Sequence, residues 1–315
     1  MAVGHGSRGT HRVIVVGAVN IDFSITAETL PLPGETVLGR DFRRSLGGKG
    51  ANQAVAASRY GVSAAIVGAV GDDDEGREAV ASLGLDGIDT TGITFVPGHR
   101  TGVALISVDS YAQNQITVAQ GANGMLDAES VRRSLLLAAD GGDHVAVLAS
   151  LEVPVDAVVA ASEAAAEQGW TLVVNPAPYQ PLPGEMMSRI DVLTPNEAEA
   201  AALLGGPAWR DDPAVLASLF RAGVKAVAVT LGPAGASVIT SYSRRDLPPP
   251  LVTAIDTTGA GDVFNGVLAA ELACGSSLEE AARASVTAAS LATTALGSCT
   301  APRRVEVLRL MDSSG

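Results

Sequence analysis

The hydrophobic pattern from about residue 143 onward alternates between two kinds of segment. Short, continuously apolar segments read HVAVLAS, TLVVNP and KAVAVTLG. Longer segments with helical spacing of apolar residues separate them, and these read VDAVVAASEAAAEQG, NEAEAAALLG and DPAVLASLFRAG. Two further long helical patterns follow, DVFNGVLAAELACG and LEEAARASVTAASLATTALG. Apolar strands that alternate with helices predict a parallel sheet covered by helices on both faces.

The N-terminal third combines the same kind of strand with a second pattern. RVIVVGAV and AAIVGAVG predict buried strands of the parallel sheet. Residues 22–46 and 99–120 instead alternate polar and apolar positions around turn signals, which is typical of half-exposed antiparallel strands. We therefore predict an α/β fold: a three-layer α/β/α sandwich with a mostly parallel central sheet, plus a small β-sheet lid built from these two segments. One domain is predicted over residues 12–310, with residues 1–11 as a disordered tail.

Composition limits which residue types can form the core and which classes of partner the protein can bind. Hydrophobic residues make up 47% of the chain but aromatic residues only 3%, so the core must consist mainly of Ala, Val, Leu and Ile. The formal net charge of −13 argues against binding to nucleic acid or to an anionic membrane, since phosphate groups are held by basic patches. Cys274 and Cys299 lie outside any CxxC or Cys/His array, so neither a zinc site nor a structural disulfide is indicated. With no signal-peptide pattern and no apolar run of membrane-spanning length, we expect a soluble, cytoplasmic protein.

The segment SLGGKGAN, residues 45–52, has the residue types of a binding turn. It lacks the Walker A spacing, because Lys49 is followed by Gly50 rather than by Ser or Thr. The strand end VVGAVN also lacks the second and third glycines of a dinucleotide-binding fingerprint. Two interpretations remain. The segment is either a flexible turn that begins the helix ANQAVAASRYG, or a site where Gly48 admits a ligand to the backbone and Lys49 and Asn52 donate to hydroxyl groups.

A second segment, DTTGAGD, leads directly into a predicted helix. Gly259, Ala260 and Gly261 place backbone N–H groups at the helix start, where partial positive charge favours an anion. Asp262 has two interpretations, a general base beside this anion hole or an ordinary N-terminal cap. The Gly-Ala-Gly run favours the first, because a cap does not need it. An anion hole beside a carboxylate base is what phosphoryl transfer to an alcohol requires.

Polar residues stand at other ends of predicted elements. Asn196 and Glu199 lie three apart at a helix start, where they would hold Mg²⁺ through water, form a capping box, or do both. The polar residues that follow predicted strands are Asn20, Asp22, Glu152 and Asn175. Since open α/β sheets bind ligands at the carboxyl ends of their strands, we expect these side chains to form one site.

An ordered set of segments resembles a known enzyme family. The set comprises VVGAVNID, PLPGET, GGKGANQAVAAS, TGVALI, GAN, NPAP, TPNEAE, TLG and DTTGAGDVFNG, and it spans about residues 12–310. It closely resembles the carbohydrate kinase family of ribokinase, fructokinase and adenosine kinase. NIDF, PGET, GGKGANQAVAA and NPAP are most similar to the ribose kinases within that family. The resemblance implies a ribokinase-like fold and ATP-dependent phosphorylation of D-ribose at the 5-hydroxyl, giving ribose 5-phosphate and ADP.

The resemblance also implies roles for individual residues. Asp262 matches the general base of the family, and Gly259, Ala260 and Gly261 match its anion hole. The positions that match the sugar site are Asn20, Asp22, Gly48, Lys49, Asn52, Glu152 and, at the reacting hydroxyl, Asp262. The positions that match the ATP site are Asn196, Thr230, Gly232, Gly235 and Gly261. Glu199 matches an acid associated with the Mg²⁺ that accompanies ATP.

A monovalent cation, typically K⁺, activates ribokinases from a loop cage beside the anion hole. The matching positions are Asp256, Thr258, Ala292, Ala295, Gly297 and a later ligand near Ala301. The loop ATTALGSCTAP departs from the usual pattern, which has Arg or Lys before the glycine and a serine hydroxyl after the loop. Val286 stands where the family often has an Asn near the adenine. The resemblance further implies a homodimer that is paired through the β lids.

Other functions stay open from the sequence alone. Within the family, the substrate would instead be deoxyribose, fructose, a ketodeoxy acid or a nucleoside. A nucleoside needs an aromatic-lined second pocket, for which the chain has only five Phe, four Tyr and two Trp. A keto-acid sugar needs a basic residue near the lid, which Arg43, Arg44 or Arg100 would supply. A non-catalytic sugar or nucleotide sensor is disfavoured because binding alone needs no base, and an NAD oxidoreductase because the fingerprint is missing.

Overall fold

The computed structural model describes residues 11–111, 113–139, 144–210, 213–297 and 299–313. The strands in this part of the chain are β1 (His11–Val16), β2 (Asn20–Ala27), β3 (Gly39–Gly47), β4 (Ser63–Gly71), β5 (Asp89–Val96), β6 (Gly102–Val108), β7 (Asn114–Ala119), β8 (His144–Ser150), β9 (Thr171–Asn175), β10 (Val192–Leu193), β11 (Ala226–Thr230), β12 (Ala236–Thr240) and β13 (Arg244–Leu247). The helices are α1 (Lys49–Tyr60), α2 (Asp74–Leu85), α3 (Ala128–Ala138), α4 (Val155–Gln168), α5 (Gly184–Met187), α6 (Glu197–Leu204), α7 (Pro213–Arg221), α8 (Ala260–Ala273), α9 (Leu278–Ala292) and α10 (Arg304–Ser313). Short 3₁₀ helices cover Gly121–Met125, Pro207–Arg210 and Gly232–Ala234.

The larger sheet separates two helical layers. Its strand order is β13-β12-β11-β10-β9-β8-β1-β4-β5, parallel except for the antiparallel pairs β11–β12 and β12–β13. The side chains of central β1 alternate between two cores. Val13 and Val15 pack on the side of α1 and α8, whereas Ile14 and Val16 pack on the side of α3 and α4. Each of these side chains is fully buried, and such burial contributes about 1.5–3 kcal/mol per side chain. The predicted three-layer α/β/α architecture is confirmed.

A smaller, separate sheet has the strand order β3-β2-β6-β7. Both segments with alternating polarity contribute to it, as predicted. Strands are antiparallel within each segment, β2 with β3 and β6 with β7, but β2 and β6 pair in parallel. The antiparallel strands that the alternation predicts are therefore present within each segment, and a parallel pair joins the two segments. The reason is topological: β2 and β6 each follow the carboxyl end of a parallel strand, β1 and β5 respectively.

Local sequence signals account for several helix boundaries. Gly169 and Gly205 follow α4 and α6 with φ of 69° and 76°, a left-handed conformation that favours glycine. Asn196 and Glu199 form a reciprocal capping box at the start of α6.

None of the helices in the described residues combines the length and apolar character that a membrane crossing needs.

Two boundaries differ from the sequence predictions. α9 ends at Ala292, earlier than its apolar pattern predicts, because the next carbonyl is used elsewhere: the carbonyl of Thr293 accepts a hydrogen bond from the N–H of Asp256 at 3.0 Å. His11, predicted to belong to the N-terminal tail, is the first residue of β1 and pairs with His144. The rest of the predicted tail lies outside the described residues.

Candidate active site

The predicted site residues meet at the carboxyl edge of the larger sheet. Asn20 and Asp22 begin β2 directly after β1, and Glu152 follows β8. Asp262 enters from the first turn of α8. The three carboxyl groups interact electrostatically with one another although they are far apart in sequence. The fold therefore concentrates negative charge at one point of this edge.

Asp262 is held by two amide donors rather than by its own helix. It is only 7% exposed, and no side chain among the described residues caps the start of α8, where Gly259 occupies the capping position. Its Oδ2 accepts from Asn52 Nδ2 at 3.0 Å, and its Oδ1 accepts from Gln53 Nε2 at 3.2 Å. The capping interpretation of Asp262 is therefore wrong. Gln53 was not among the predicted site residues; its only signal was a polar side chain in the apolar run of α1.

Lys49 places a positive charge among the carboxylates. Asp262 has the largest influence in raising the pKa of Lys49, and Glu152 and Glu199 act in the same direction, while burial opposes them. The backbone N–H of Lys49 also donates to Glu152 Oε2 at 2.8 Å. Lys49 thus contributes a backbone donor and a cation at the same place, which offsets part of the repulsion between the acids.

The Asp22 carboxyl has an unused acceptor. Burial first, then the charges of Glu152 and Asp262, raise the pKa of Asp22 to about 7. Its Oδ1 is buried and has no hydrogen-bond partner in the described part of the chain. Gly47 on β3 is needed behind it, since a Cβ there would lie 2.0 Å from Oδ1. Buried oxygens of this kind are normally paired, so this carboxyl retains an acceptor that a hydrogen-bond donor would stabilise.

Asn20 is positioned by Asn123, which the site prediction lacks. Nδ2 of Asn123 donates to Asn20 Oδ1 at 2.8 Å, and its Oδ1 accepts the N–H of Val19, also at 2.8 Å. Gly102 permits this contact, because a Cβ there would lie 2.1 Å from Asn20 Oδ1. The GAN motif contains Asn123, but its contacts with Val19 and Asn20 form only when the chain is folded.

The segment SLGGKGAN is the turn into a helix that one interpretation predicts, and its role as a ligand-binding turn stays a prediction. It begins α1, and it lines the cluster of acids. Gly48 has φ of 86°, and a Cβ there would lie 2.6 Å from the carbonyl oxygen of Ala18. The same carbonyl accepts the N–H of Ala51 at 3.1 Å. A larger residue at position 48 would be strained and would push α1 away from the end of β1.

The start of α8 is open to solvent beside Asp262. Gly259 has φ of 76°, which favours glycine, and Gly261 is exposed. The N–H of Ala260 donates to the carbonyl of Thr257 at 3.2 Å. A helix of this length carries partial positive charge at its N-terminus, so the turn can stabilise an anion next to the carboxylate.

The residues predicted to bind ATP form a neighbouring group. Asn196 and Thr230 lie side by side at the ends of β10 and β11, joined by an isolated β-bridge. Gly232 and Gly235 make the turn from β11 to β12, with φ of 55° and 89°. These four positions share the edge of the sheet that carries Asp262.

Glu199 confirms the capping interpretation and keeps an oxygen outside the cap. Its Oε2 accepts the N–H of Asn196 at 2.8 Å, and its own N–H donates to Asn196 Oδ1 at 2.8 Å. Burial is the main cause that raises the pKa of Glu199, and Lys49 and Asp262 lie within electrostatic reach. The carboxyl thus lies near enough to both groups to interact with their charges, and an oxygen donor of this kind suits a hydrated Mg²⁺.

Asp256 joins the start of α8 to the loop that follows α9. Its Oδ1 accepts the N–H of Thr258 and its Oδ2 accepts the N–H of Gly297, each at 2.9 Å. Burial acts to raise the pKa of Asp256, but these hydrogen bonds outweigh it and leave the pKa lowered. The two predicted halves of the cation loop are therefore in contact.

A hydroxyl that the sequence prediction lacks lies within this loop. Thr300 Oγ1 donates to the carbonyl oxygens of Ala292 at 3.0 Å and Gly297 at 3.3 Å. The N–H of Ala295 donates to the Ala292 carbonyl at 3.4 Å. The hydroxyl of Thr300 stands one position before Ala301, whose methyl group packs against the core.

The comparisons with known proteins agree with this fold, and the family that they show is one of carbohydrate kinases. The chain belongs to the pfkB family of carbohydrate kinases, whose family model matches residues 10–304. The ribokinase of Haemophilus influenzae is 38% identical over 301 residues, which cover 95% of this chain and 97% of that protein. The ribokinase structure from Giardia lamblia aligns with a TM-score of 0.87 at 31% identity, covering 97% of this chain and 100% of that one. The Arabidopsis thaliana ribokinase complexed with ribose and ATP aligns with a TM-score of 0.84 at 29% identity, covering 96% and 99%.

Proposed function

We propose that this protein transfers a phosphoryl group from ATP to the 5-hydroxyl of D-ribose, giving ribose 5-phosphate and ADP. The observation that carries the proposal is the placement of Asp262 in the first turn of α8. It is a buried carboxylate that accepts hydrogen bonds from the side-chain amides of Asn52 and Gln53. A base and an anion-binding helix start are needed at one point for this reaction. The similarity to a ribokinase at 38% identity supports ribose as the acceptor, as does the likeness to a ribokinase complexed with ribose and ATP.

Each bond change has a group to assist it. The 5-hydroxyl oxygen attacks the γ-phosphorus while Asp262 takes the hydroxyl proton. The bond from the γ-phosphorus to the bridging oxygen breaks, and ADP leaves with that electron pair. The backbone N–H groups of Gly259 and Gly261 stabilise the charge on the transferred phosphoryl group, and the N–H of Ala260 joins them when it leaves the carbonyl of Thr257.

The proposed sugar site suits a neutral polyol. Its residues are Asn20, Asp22, Gly48, Lys49, Asn52, Glu152 and Asp262. Ionised carboxyl groups accept hydrogen bonds from hydroxyls more strongly than neutral acceptors do, and Asp22, whose Oδ1 is unpaired among the described residues, is one such acceptor in its ionised form. The same charges repel a sugar that is already phosphorylated, which favours the unphosphorylated substrate and release of the product.

Two other substrate classes find less support. Of the basic residues considered for a keto-acid sugar, Arg44 is paired with Glu75 at 3.4 Å and Glu78 at 2.7 Å. Arg100 lies 4.0 Å from Asp73 and is largely exposed. Two of the three candidate cations thus lie next to acids outside the site. For a nucleoside, the chain has only five Phe, four Tyr and two Trp to line an aromatic pocket.

ATP and its metal would occupy the neighbouring group of residues. We assign ATP to Asn196, Thr230, Gly232, Gly235 and Gly261. Mg²⁺ neutralises charge on the phosphates when it is bound, and Glu199 would hold it through water. For K⁺, the oxygens are those of Asp256, Thr258, Ala292, Ala295 and Gly297, with the hydroxyl of Thr300 rather than a group at Ala301 as the later ligand. A cation there would steady the loop against the start of α8.

The smaller sheet is proposed as a lid and as a dimer surface, built from residues 22–46 and 99–120 of a single catalytic domain over residues 12–310. Asp22 lies on one face of this sheet, so that face covers the sugar. By strand register, three apolar side chains lie on the opposite face: Ile25, Phe42 and Leu105, which are 45%, 63% and 57% exposed. Exposed apolar residues on three adjacent strands suit pairing with a second copy. The same proposal places the enzyme in the cytoplasm, where ATP is available.

The test is ADP release from ATP and Mg²⁺ with ribose, 2-deoxyribose, fructose and adenosine, each in K⁺ and in Na⁺ buffer. We expect the highest kcat/KM with ribose and a higher rate in K⁺. A higher kcat/KM with another acceptor would replace ribose while keeping the role of Asp262. An absence of turnover with all four would favour the sensor interpretation over a kinase.

A further inference from the structure

The side chain of Gln53 is fully buried between α1, α8 and the sheet. Its Nε2 donates to Asp262 Oδ1 and to Asn175 Oδ1, each at 3.2 Å. Gly266 allows α8 to approach this point, since a Cβ there would lie 2.5 Å from the carbonyl oxygen of Gln53. Both hydrogens of the Gln53 amide are therefore used, and one of them is used on the proposed base.

A backbone carbonyl, that of Thr194, determines the orientation of the Gln53 side-chain amide through Asn175. The carbonyl of Thr194 can only accept, and it accepts from Asn175 Nδ2 at 2.9 Å. Asn175 must then direct its Oδ1 toward Gln53, so Gln53 must donate to that oxygen with its Nε2. The reversed Gln53 amide would direct its oxygen at the oxygens of Asn175 and Asp262. Gln53 Oε1 is buried without a partner among the described residues, and the amide keeps its orientation in spite of that cost.

A second branch returns to the start of α8. The hydroxyl of Thr194 donates to Asn265 Oδ1, and Asn265 Nδ2 donates to the carbonyl of Gly261 at 2.8 Å. The network therefore connects the proposed base and the anion-binding turn through the ends of two neighbouring strands, β9 at Asn175 and β10 before Thr194. Its polar members besides Asp262 are all at least nine-tenths buried: Gln53, Asn175, Thr194 and Asn265. A fully buried network with fixed donors and acceptors is rigid.

We propose that Gln53 and Asn175 are positioning residues for the general base, holding the Asp262 carboxylate at the angle from which it takes the 5-hydroxyl proton. The inference rests on the proposed kinase function and extends it to residues that need not touch the sugar. Asn52 holds the other carboxylate oxygen, and its own Oδ1 lies 3.4 Å from the thiol of Cys299. Two amides from one helical turn thus direct the two oxygens of one carboxylate.

The first test compares Gln53→Met with the wild type and with Ser162→Ala. Met removes the donors at similar size, whereas buried Ser162 bonds within α4, to the carbonyl of Val159, away from the site. We expect Gln53→Met to lower kcat about 10- to 100-fold, the usual cost of a misplaced reacting group, with the ribose KM within about threefold of the wild type. Ser162→Ala should keep the kcat of the wild type even where its melting temperature falls.

The second test uses the pH profile of kcat in Gln53→Glu. When protonated, the new carboxyl donates to Asp262 as the amide does; when ionised, it repels Asp262. The ratio of variant to wild-type kcat should therefore be highest at low pH and fall as the pH rises. The other charged groups that reach Asp262 are Lys49, Asp22, Glu152 and Glu199. They are present in both proteins, so the pH dependence that they cause on their own is common to the two profiles. A purely structural role of Gln53 would instead give a constant ratio.

The outcomes separate the two proposals. A wild-type enzyme without ribose-dependent ADP release would overturn the kinase function and this inference with it. An active wild type together with a fully active Gln53→Met, or with a constant ratio in Gln53→Glu, would overturn the positioning role alone. Should Gln53→Met fail to fold, the Gln53→Glu profile decides, since it conserves both size and polarity.

Discussion

The affinity for ribose should depend on pH through Asp22. Burial, together with Glu152 and Asp262, raises the pKa of Asp22 to about 7 in the sugar-free protein. Hydroxyl groups donate more strongly to the ionised carboxylate than to the neutral acid. Binding of ribose should therefore favour the ionised form, and the proton on Asp22 should compete with the sugar.

The size of the effect follows from the pKa. With a pKa of about 7, about nine-tenths of Asp22 side chains are ionised at pH 8 and about one-tenth at pH 6. When ribose binds the ionised form alone, its association constant falls about tenfold between these values. This corresponds to about 1.4 kcal/mol of binding free energy. Asp22→Asn should bind ribose more weakly at pH 8, and its affinity should change little with pH.

Titration calorimetry of ribose binding without ATP measures this directly, at about pH 6, 7 and 8. Equal affinities of the wild type across the range would refute the reasoning about Asp22. A tenfold change that persists in Asp22→Asn would assign the effect to another acid, of which Glu152 is the first candidate, since burial raises its pKa as well. The stability of the sugar-free protein provides a check of sign. Because the folded pKa of Asp22 lies above the unfolded value, the stability that its neutral form contributes is lost as the pH rises from about 4 to about 7. Asp22→Asn should remove this part of the fall and leave the part due to Glu152 and Glu199, whose pKa values are raised as well.

Three further predictions concern the turn at Gly48, the charge of Lys49 and the proposed K⁺ loop. Gly48→Ala should lower the free energy of unfolding by about 1–3 kcal/mol in urea titrations, because φ is 86° and the new Cβ would lie 2.6 Å from a carbonyl oxygen. Gly98→Ala is its control, with φ of 77° and no atom within 4 Å, so only the difference reports the contact. Lys49→Ala should raise the ribose KM by about tenfold or more with a smaller change in kcat; an unchanged KM in steady-state assays would contradict its place at the sugar. Asp256→Asn and Thr300→Val should each reduce the rate increase on replacing Na⁺ by K⁺, and an undiminished K⁺ response would exclude this loop as the cation site.

Periodic signals made the layers of the fold predictable. Continuous apolar segments predicted the parallel strands, and the alternation of residues 22–46 and 99–120 predicted a second sheet. Helix ends were predictable where glycine or a capping box stands, as at Gly169 and Gly205. The parallel pairing of β2 with β6 was not predictable from alternation, because the polarity pattern is the same for either strand direction. It depends instead on how the chain enters both strands.

The site was predictable where a motif carries its own chemistry, and not where contacts join distant segments. Glycine-rich turns and the Asp at a helix start have recognisable local chemistry. Gln53 reaches Asp262 across 209 positions of sequence, and Asn123 reaches Asn20 across 103, so only the folded chain reveals their contacts. The hydroxyl of Thr300, proposed in place of Ala301 for the cation loop, stands one position before the expected one, in a loop whose sequence departs from the family pattern.

The central claim, that Asp262 is the base of a ribose kinase, is tested most directly by Asp262→Asn. Two quantities should be measured on the same preparation, ADP release with saturating ribose and ATP, and ribose affinity by calorimetry. The matched control is Asp156→Asn, which changes an exposed carboxylate in the first turn of α4. We predict that Asp262→Asn binds ribose within a few-fold of the wild type but loses about 10²–10⁴-fold or more in kcat, while the control keeps both. A kcat close to that of the wild type would contradict the account.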